Sequence, residues 1–414
     1  MKTVESLPRL KQFLSSILIT IGLSFSITIH HTAHAQSQES PYMLVEKRKH
    51  TIDEFVTFGG ETIRDLKVGY EHYGSLNEDK SNVILITHYF TGSSHAAGKY
   101  SEDDEEPGYW DSIIGPGKAI DTDQFFVISV DSLVNISAYD ENVVTTGPAS
   151  INPETGKAYG LSFPVVTMRD FVNVQKSVLE SLGITELYAV AGPSMGSMQA
   201  IEWAATYPDK VPRLISVIGA AQADGWTTAL LEQWTLPIKL DANWNGGDYY
   251  NGNSPDEGLT AALALITQSA LAPEFFKHMQ SQLSDIPSNS IKSGLYDITQ
   301  NPPIVAWLME RARERSAKMD ANHLLYLVRA NQLFLTGMGD NLEDGLAKIK
   351  AKTLFIPATQ DLLLMPYHAQ NAAKIMEQQG KDIELLYLDG DLGHLEGVNN
   401  IHLFSDEIRE FLAQ

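Results

Sequence analysis

Short apolar runs alternating with longer segments of helical spacing set the pattern of the chain. Thr51 to Tyr73 alternates apolar and polar positions and is broken at Gly59-Gly60, which predicts a pair of antiparallel strands. Val83-Ile84-Leu85-Ile86-Thr87, Phe125 to Val130, Leu187 to Ala191 and Leu214 to Gly219 are continuous apolar runs, the kind buried on both faces of a parallel sheet. Between them, Asp170 to Leu182 repeats at helical spacing and stops at Gly183, and Gln199 to Tyr207 reads as the helix after the third run. Strands alternating with helices predict a doubly wound, mostly parallel sheet of the α/β class. The alternation stops near Ala220. Helices and loops then run to about Leu346, with Asn243 to Pro255 rich in Gly and Asn. Strand patterns return at Thr353 to Ile356 and Ile383 to Leu388. The expected organisation is a core in two parts, residues 36–220 and 347–414, interrupted by a helical lid over residues 221–346.

The first 35 residues stand apart. Lys2, Arg9 and Lys11 precede an apolar stretch from Phe13 to Ile29, and Ala33-His34-Ala35 offers a small-x-small cleavage site. That order predicts a signal peptide, since the apolar stretch falls short of the ~20 residues of a typical membrane span. The mature chain is expected to be exported, to the periplasm or the medium, with no membrane segment of its own.

Composition narrows the chemistry. The 414 residues are 43% hydrophobic and 20% charged, enough for a large core and against bulk disorder. A formal net charge of -22 repels phosphate backbones, so no nucleic-acid partner is expected. With no cysteine there is no disulfide, thiolate metal site or thiol nucleophile. The histidines lack metal-ligand spacing, and no Gly-rich stretch has the strand–GxGxxG–helix setting of a dinucleotide site. Neither metal nor cofactor is expected, and Asp103-Asp104-Glu105-Glu106 reads as a solvated loop.

Gly192-Pro193-Ser194-Met195-Gly196 follows a buried strand and precedes a helix. A serine there sits on a sharp, strained turn where only small neighbours avoid clashes, and the turn lifts its hydroxyl above the sheet edge. A hydroxyl needs a base, and the base needs an acid to orient it. Asp361 stands just beyond the strand at Thr353 to Ile356. His394 lies in the loop after Ile383 to Leu388, which completes the order Ser, Asp, His of α/β hydrolases. His368 lies too near Asp361, His402 reads as part of the last helix, and Asp389 and Asp391 are too close to His394 to be its partner. Two backbone N–H groups should stabilise an oxyanion, those of Met195 and, from the loop His88 to Gly92, of Phe90. Trp226, Trp234 and Trp244 could line a pocket, though aromatics at such spacings belong more often to a core.

These motifs resemble the homoserine O-acetyltransferase family of the α/β-hydrolase superfamily. The resemblance runs from about Leu66 to the C-terminus, through His88 to His95, Gly108-Tyr109-Trp110-Asp111, Ile114 to Asp123, Thr146 to Ser150, Gly192 to Ala200 and Met319 to Asn322. It implies an α/β-hydrolase fold with a helical lid, the Ser194–Asp361–His394 triad, and a homodimer formed through the lid. It also implies two substrate contacts that the chain lacks. Family members that acetylate homoserine carry a lid arginine for its carboxylate, whereas here no arginine occurs between Arg213 and Arg311. They carry an aspartate after the catalytic histidine for its ammonium, where this chain has Leu395. The expectation is therefore an exported serine hydrolase cutting a small-molecule ester of an uncharged or apolar acyl or alcohol group, with an O-acyltransferase as the alternative.

Overall fold

The computed structural model describes residues 42–283, 298–299 and 301–414. The predicted signal peptide at residues 1–35 lies outside them.

Eight strands form one sheet: β1 (Arg48–Val56), β2 (Thr62–Tyr73), β3 (Val83–Ile86), β4 (Phe126–Val130), β5 (Ala189–Pro193), β6 (Arg213–Val217), β7 (Lys352–Ile356) and β8 (Ile383–Leu385). Their spatial order is β1-β2-β4-β3-β5-β6-β7-β8. β1 and β2 pair antiparallel from Arg48 opposite Tyr70 to Val56 opposite Thr62, and β2 also runs antiparallel to β4. All later pairings are parallel.

The central strands are buried on both faces, and period two sorts their side chains. Ile84 and Ile86 of β3 join Val127, Ala189, Ile215, Leu354 and Phe411 on one face. Val83 and Leu85 join Ile128, Val190, Leu214, Phe171 and Trp203 on the other. Phe171 belongs to α1 (Met168–Ser181), which starts two residues before its sequence signal because Thr167 and Asp170 form a capping box. Trp203 belongs to α2 (Met195–Thr206), which starts directly after Ser194 rather than at Gln199. β8 ends at Leu385; Leu388 pairs further on with Ala358 as an isolated bridge.

Between β6 and β7 lie α3 (Gly225–Leu240), α4 (Asp256–Ala270), α5 (Pro273–Leu283), α6 (Pro303–Ser316), α7 (Ala321–Gln332) and the short α8 (Leu342–Ala347). The segment closes on itself at its base. Ala223 N–H donates to Phe334 O at 2.8 Å, Thr336 N–H to Ala221 O at 3.1 Å, and the Thr336 hydroxyl to the same oxygen at 2.6 Å. Among the described residues no single helix is long and apolar enough to cross a membrane.

Candidate active site

Ser194 occupies the tip of the turn between β5 and α2 with φ 59° and ψ −121°, a left-handed conformation that costs a non-glycine residue energy. The flanking glycines explain how the turn fits. A Cβ on Gly192 would stand 2.5 Å from the Thr87 carbonyl oxygen, and one on Gly196 would overlap the same atom. Ser194 N–H donates to Val217 O at 2.9 Å, which fastens the turn to β6.

His394 lies in a short 3-10 turn at Gly393–Leu395, beyond β8. Its Nε2 is 2.7 Å from Ser194 Oγ, and its Nδ1 is 2.6 Å from Asp361 Oδ2. The other carboxylate oxygen, Oδ1, accepts from Leu363 N–H at 2.8 Å and Leu364 N–H at 2.9 Å. All three side chains are buried, with Ser194 the most open at 6%. Asp361 accepts at Nδ1, so that nitrogen carries the proton and Nε2 is left to receive one from the serine. Such an arrangement suits attack by a hydroxyl oxygen on an electrophilic carbon.

The loop after β3 faces the same turn. Neither Phe90 N–H nor Met195 N–H finds an acceptor among the described residues. For Met195 this follows from its place at the start of α2. The loop is fixed from within. His88 Nδ1 is 2.8 Å from Tyr89 O, and His88 Nε2 accepts from Ser132 N–H at 3.0 Å. A carbonyl on one side and an N–H on the other hold the ring neutral with its proton on Nδ1, and burial lowers its pKa in the same sense. Asn135 Nδ2 also donates to Gly92 O at 3.0 Å.

The other sequence candidates lie elsewhere. His368, in the helix Tyr367–Gln378, bonds Thr227 at 3.1 Å; Asp389 accepts from Thr359 at 2.7 Å. His402 falls in a 3-10 turn before the final helix rather than on it. The three tryptophans separate. Trp234 is buried and meets the Phe90 ring edge-on at 5.5 Å, Trp244 donates to Asn322 Oδ1 at 2.9 Å, and Trp226 is exposed. Sequence reasoning missed Thr87, His88 and Asn135 as the supports of the Phe90 loop. The motif beginning at His88 was the signal available.

A family model described as "alpha/beta hydrolase fold" matches residues 106–395. The chain is similar to the homoserine O-acetyltransferase of Methanococcoides burtonii, 37% identical over 357 residues that cover 85% of this chain and 70% of that protein. It belongs to the homoserine O-acetyltransferase family. Among solved structures, esterase E22 is 62% identical with a TM-score of 0.86, covering 89% of this chain and 100% of that one. The homoserine O-acetyltransferase from Bacillus anthracis is 38% identical with a TM-score of 0.85, covering 90% and 98%. The family thus places the chain among α/β-hydrolase acyl-transfer enzymes with both acetyltransferases and esterases as relatives.

Proposed function

We propose that the chain is an exported ester hydrolase that works through an acyl-enzyme on Ser194. The observation that carries this reading is the unbroken hydrogen-bonded line from Ser194 through His394 to Asp361. Ser194 Oγ attacks the ester carbonyl carbon while His394 Nε2 takes its proton. Phe90 and Met195 N–H groups receive the oxyanion, and its collapse breaks the C–O bond as His394 returns the proton to the leaving alcohol. Water then attacks the acyl carbon, giving its proton to His394, and the acid leaves with Ser194 restored. The helices between β6 and β7 act as the lid that shapes the acyl and alcohol pockets.

Four features favour water over homoserine as the acceptor. Leu395 stands where an aspartate would bind the ammonium, and no arginine occurs between Arg213 and Arg311 to bind the carboxylate in the expected place. Esterase E22 is nearer in sequence, at 62%, than the acetyltransferases at 37–38%. The leader-like residues 1–35 would carry the chain away from cytoplasmic coenzyme A thioesters.

Purified protein assayed with p-nitrophenyl acetate and butyrate tests the reading. Turnover is expected, and Ser194→Ala should lower kcat by about 10⁴-fold or more. A parent protein indistinguishable from Ser194→Ala would end it. Consumption of acetyl-CoA faster with homoserine than with water would favour the acetyltransferase alternative, which family membership supports.

A further inference from the structure

Arg315 lies in the last turn of α6 and, unlike Arg311 and Arg313, forms no ion pair among the described residues. Arg311 meets Glu314 at 2.9 Å and Arg313 meets Glu257 at 3.4 Å. Arg315 is half-buried, and its only hydrogen bond among the described residues runs from Nη1 to Thr267 Oγ1 of α4 at 3.0 Å. A guanidinium offers five N–H donors, and withdrawing one from water without an anion is costly. Burial accordingly depresses its pKa. The negative end of α6 favours a basic residue in this turn, but Arg313 enjoys that benefit while staying exposed.

Arg315 is linked to the site through α4. α4, which holds Thr267, ends at Ala270, and the chain just beyond it touches the histidine loop: a Cβ on Gly393 would stand 2.7 Å from Ala272 N. The charge of Arg315 also acts on Tyr89, the neighbour of Phe90; burial raises the Tyr89 phenol and Arg315 draws it back. Arg315 therefore packs on a helix whose end abuts the loop that carries His394, and its charge reaches the loop that carries Phe90. The cations of a surface hollow of about 660 Å³ near β2 differ from it, because Arg64 and Lys67 there are already paired with Glu54, Glu154 and Asp65.

We infer that Arg315 recognises an anionic group, a carboxylate carried by the ester substrate. The inference rests on the hydrolase reading above and replaces the expectation of an uncharged substrate. With Leu395 supplying no partner for an ammonium, the class is a carboxylate-bearing ester rather than a zwitterionic amino acid. The carboxylate could belong to the acyl half, as in a dicarboxylic acid monoester, or to the alcohol half, as in an acylated hydroxy acid.

Specificity constants for three esters of similar size test it: methyl butyrate, monomethyl succinate and O-acetylglycolate. One charged ester should exceed the neutral one by about tenfold to a hundredfold, and the winner names the half that bears the carboxylate. Arg315→Met should bring that ratio close to one, while Arg315→Lys keeps part of it. Equal use of charged and neutral esters by the parent protein overturns the inference but leaves the hydrolase reading standing. Succinate binding followed by calorimetry in the parent and in Arg315→Met reads Arg315 whether or not any ester turns over. Affinity at least tenfold weaker in the variant supports the inference, and equal affinity overturns it. A variant that does not melt cooperatively is replaced by a salt series on the parent, in which the charged-ester preference should shrink as ionic strength rises; a salt-independent ratio overturns it.

Discussion

The Thr87 hydroxyl donates to the Gly196 carbonyl across 2.7 Å, joining the end of β3 to the first turn of α2. Thr87 and Gly196 are so close that this contact sets the separation between the Phe90 loop and Ser194. Gly196→Ala would drive a methyl into the Thr87 carbonyl. Overpacking of this kind costs about 1–3 kcal/mol, and here the neighbour is backbone and cannot rotate away. Urea denaturation should show a loss at or above the upper end of that range. Esterase activity should fall further than the folded fraction does, because the two N–H groups move apart. Thr87→Val, which removes this bond and the weaker one from the same hydroxyl to Ala191 O at 3.2 Å, should cost about 1–2 kcal/mol.

Asp361→Asn should separate orientation from folding. Two backbone N–H groups claim Oδ1 of Asp361, so in the variant the amide oxygen will settle there and the NH₂ will face His394 Nδ1. The imidazole must then accept at Nδ1 and carry its proton on Nε2, facing Ser194, where it cannot act as a base. A fall in kcat of about 10³–10⁴-fold is expected with a melting temperature close to the parent's. A drop of less than tenfold would mean that Asp361 does not set the tautomer.

What could be read from the chain depended on distance in sequence. The turn at Ser194 announces itself because its requirements are local: a buried strand, two glycines and a helix within a few residues. Asp361 and His394 were legible because parallel strands bring successive loops to one edge. Arg315 was not, since it sits in Glu310-Arg311-Ala312-Arg313-Glu314-Arg315, which reads as a solvated helical face. Only the packing of α6 against α4 brings Arg315 to Thr267. The grouping of Lys47 with Glu71 and Asp131, and of Asp320 with three tyrosines, was equally hidden, because each joins residues far apart along the chain with no periodicity to betray the contact.

Glu71 makes the acid limb of stability testable. This fully buried carboxylate meets Lys47 at 2.9 Å and accepts from Tyr73, His95 and Tyr100. Burial alone would raise its pKa, but the His95 hydrogen bond and the Lys47 charge outweigh it and hold the group at about 2. Lys47 moves up, against the pull of burial, as the same ion pair requires. Because the folded value lies below the unfolded one, the unfolded chain takes up the proton first. The contribution is complete above the ordinary glutamate range and is lost as pH falls toward 2; its size is about 3 kcal/mol. Glu71→Gln should therefore be less stable than the parent at pH 7. The gap should narrow steadily in denaturation series from pH 5 to pH 2; a gap that stays constant would mean Glu71 does not titrate in that window.

Asp320 fastens the helical segment between β6 and β7 to the core. Its buried carboxylate accepts from Tyr249 at 2.7 Å and Tyr250 at 3.1 Å within that segment, and from Tyr139 of the core at 3.0 Å. It also caps α7 by accepting from His323 N–H at 2.9 Å. Asp320→Ala removes the cap, worth about 1 kcal/mol, and strands up to three hydroxyls, so a loss of about 3 kcal/mol is expected. Asp320→Asn keeps an oxygen for the cap and for part of the hydroxyl set, and should lose less than half of that. Because the damage falls on the attachment of the segment rather than on Ser194, KM should rise in Asp320→Ala by a larger factor than kcat falls. Denaturation and steady-state kinetics on the same two variants check both statements. An unchanged KM with kcat reduced would show instead that the clamp acts on the reacting groups.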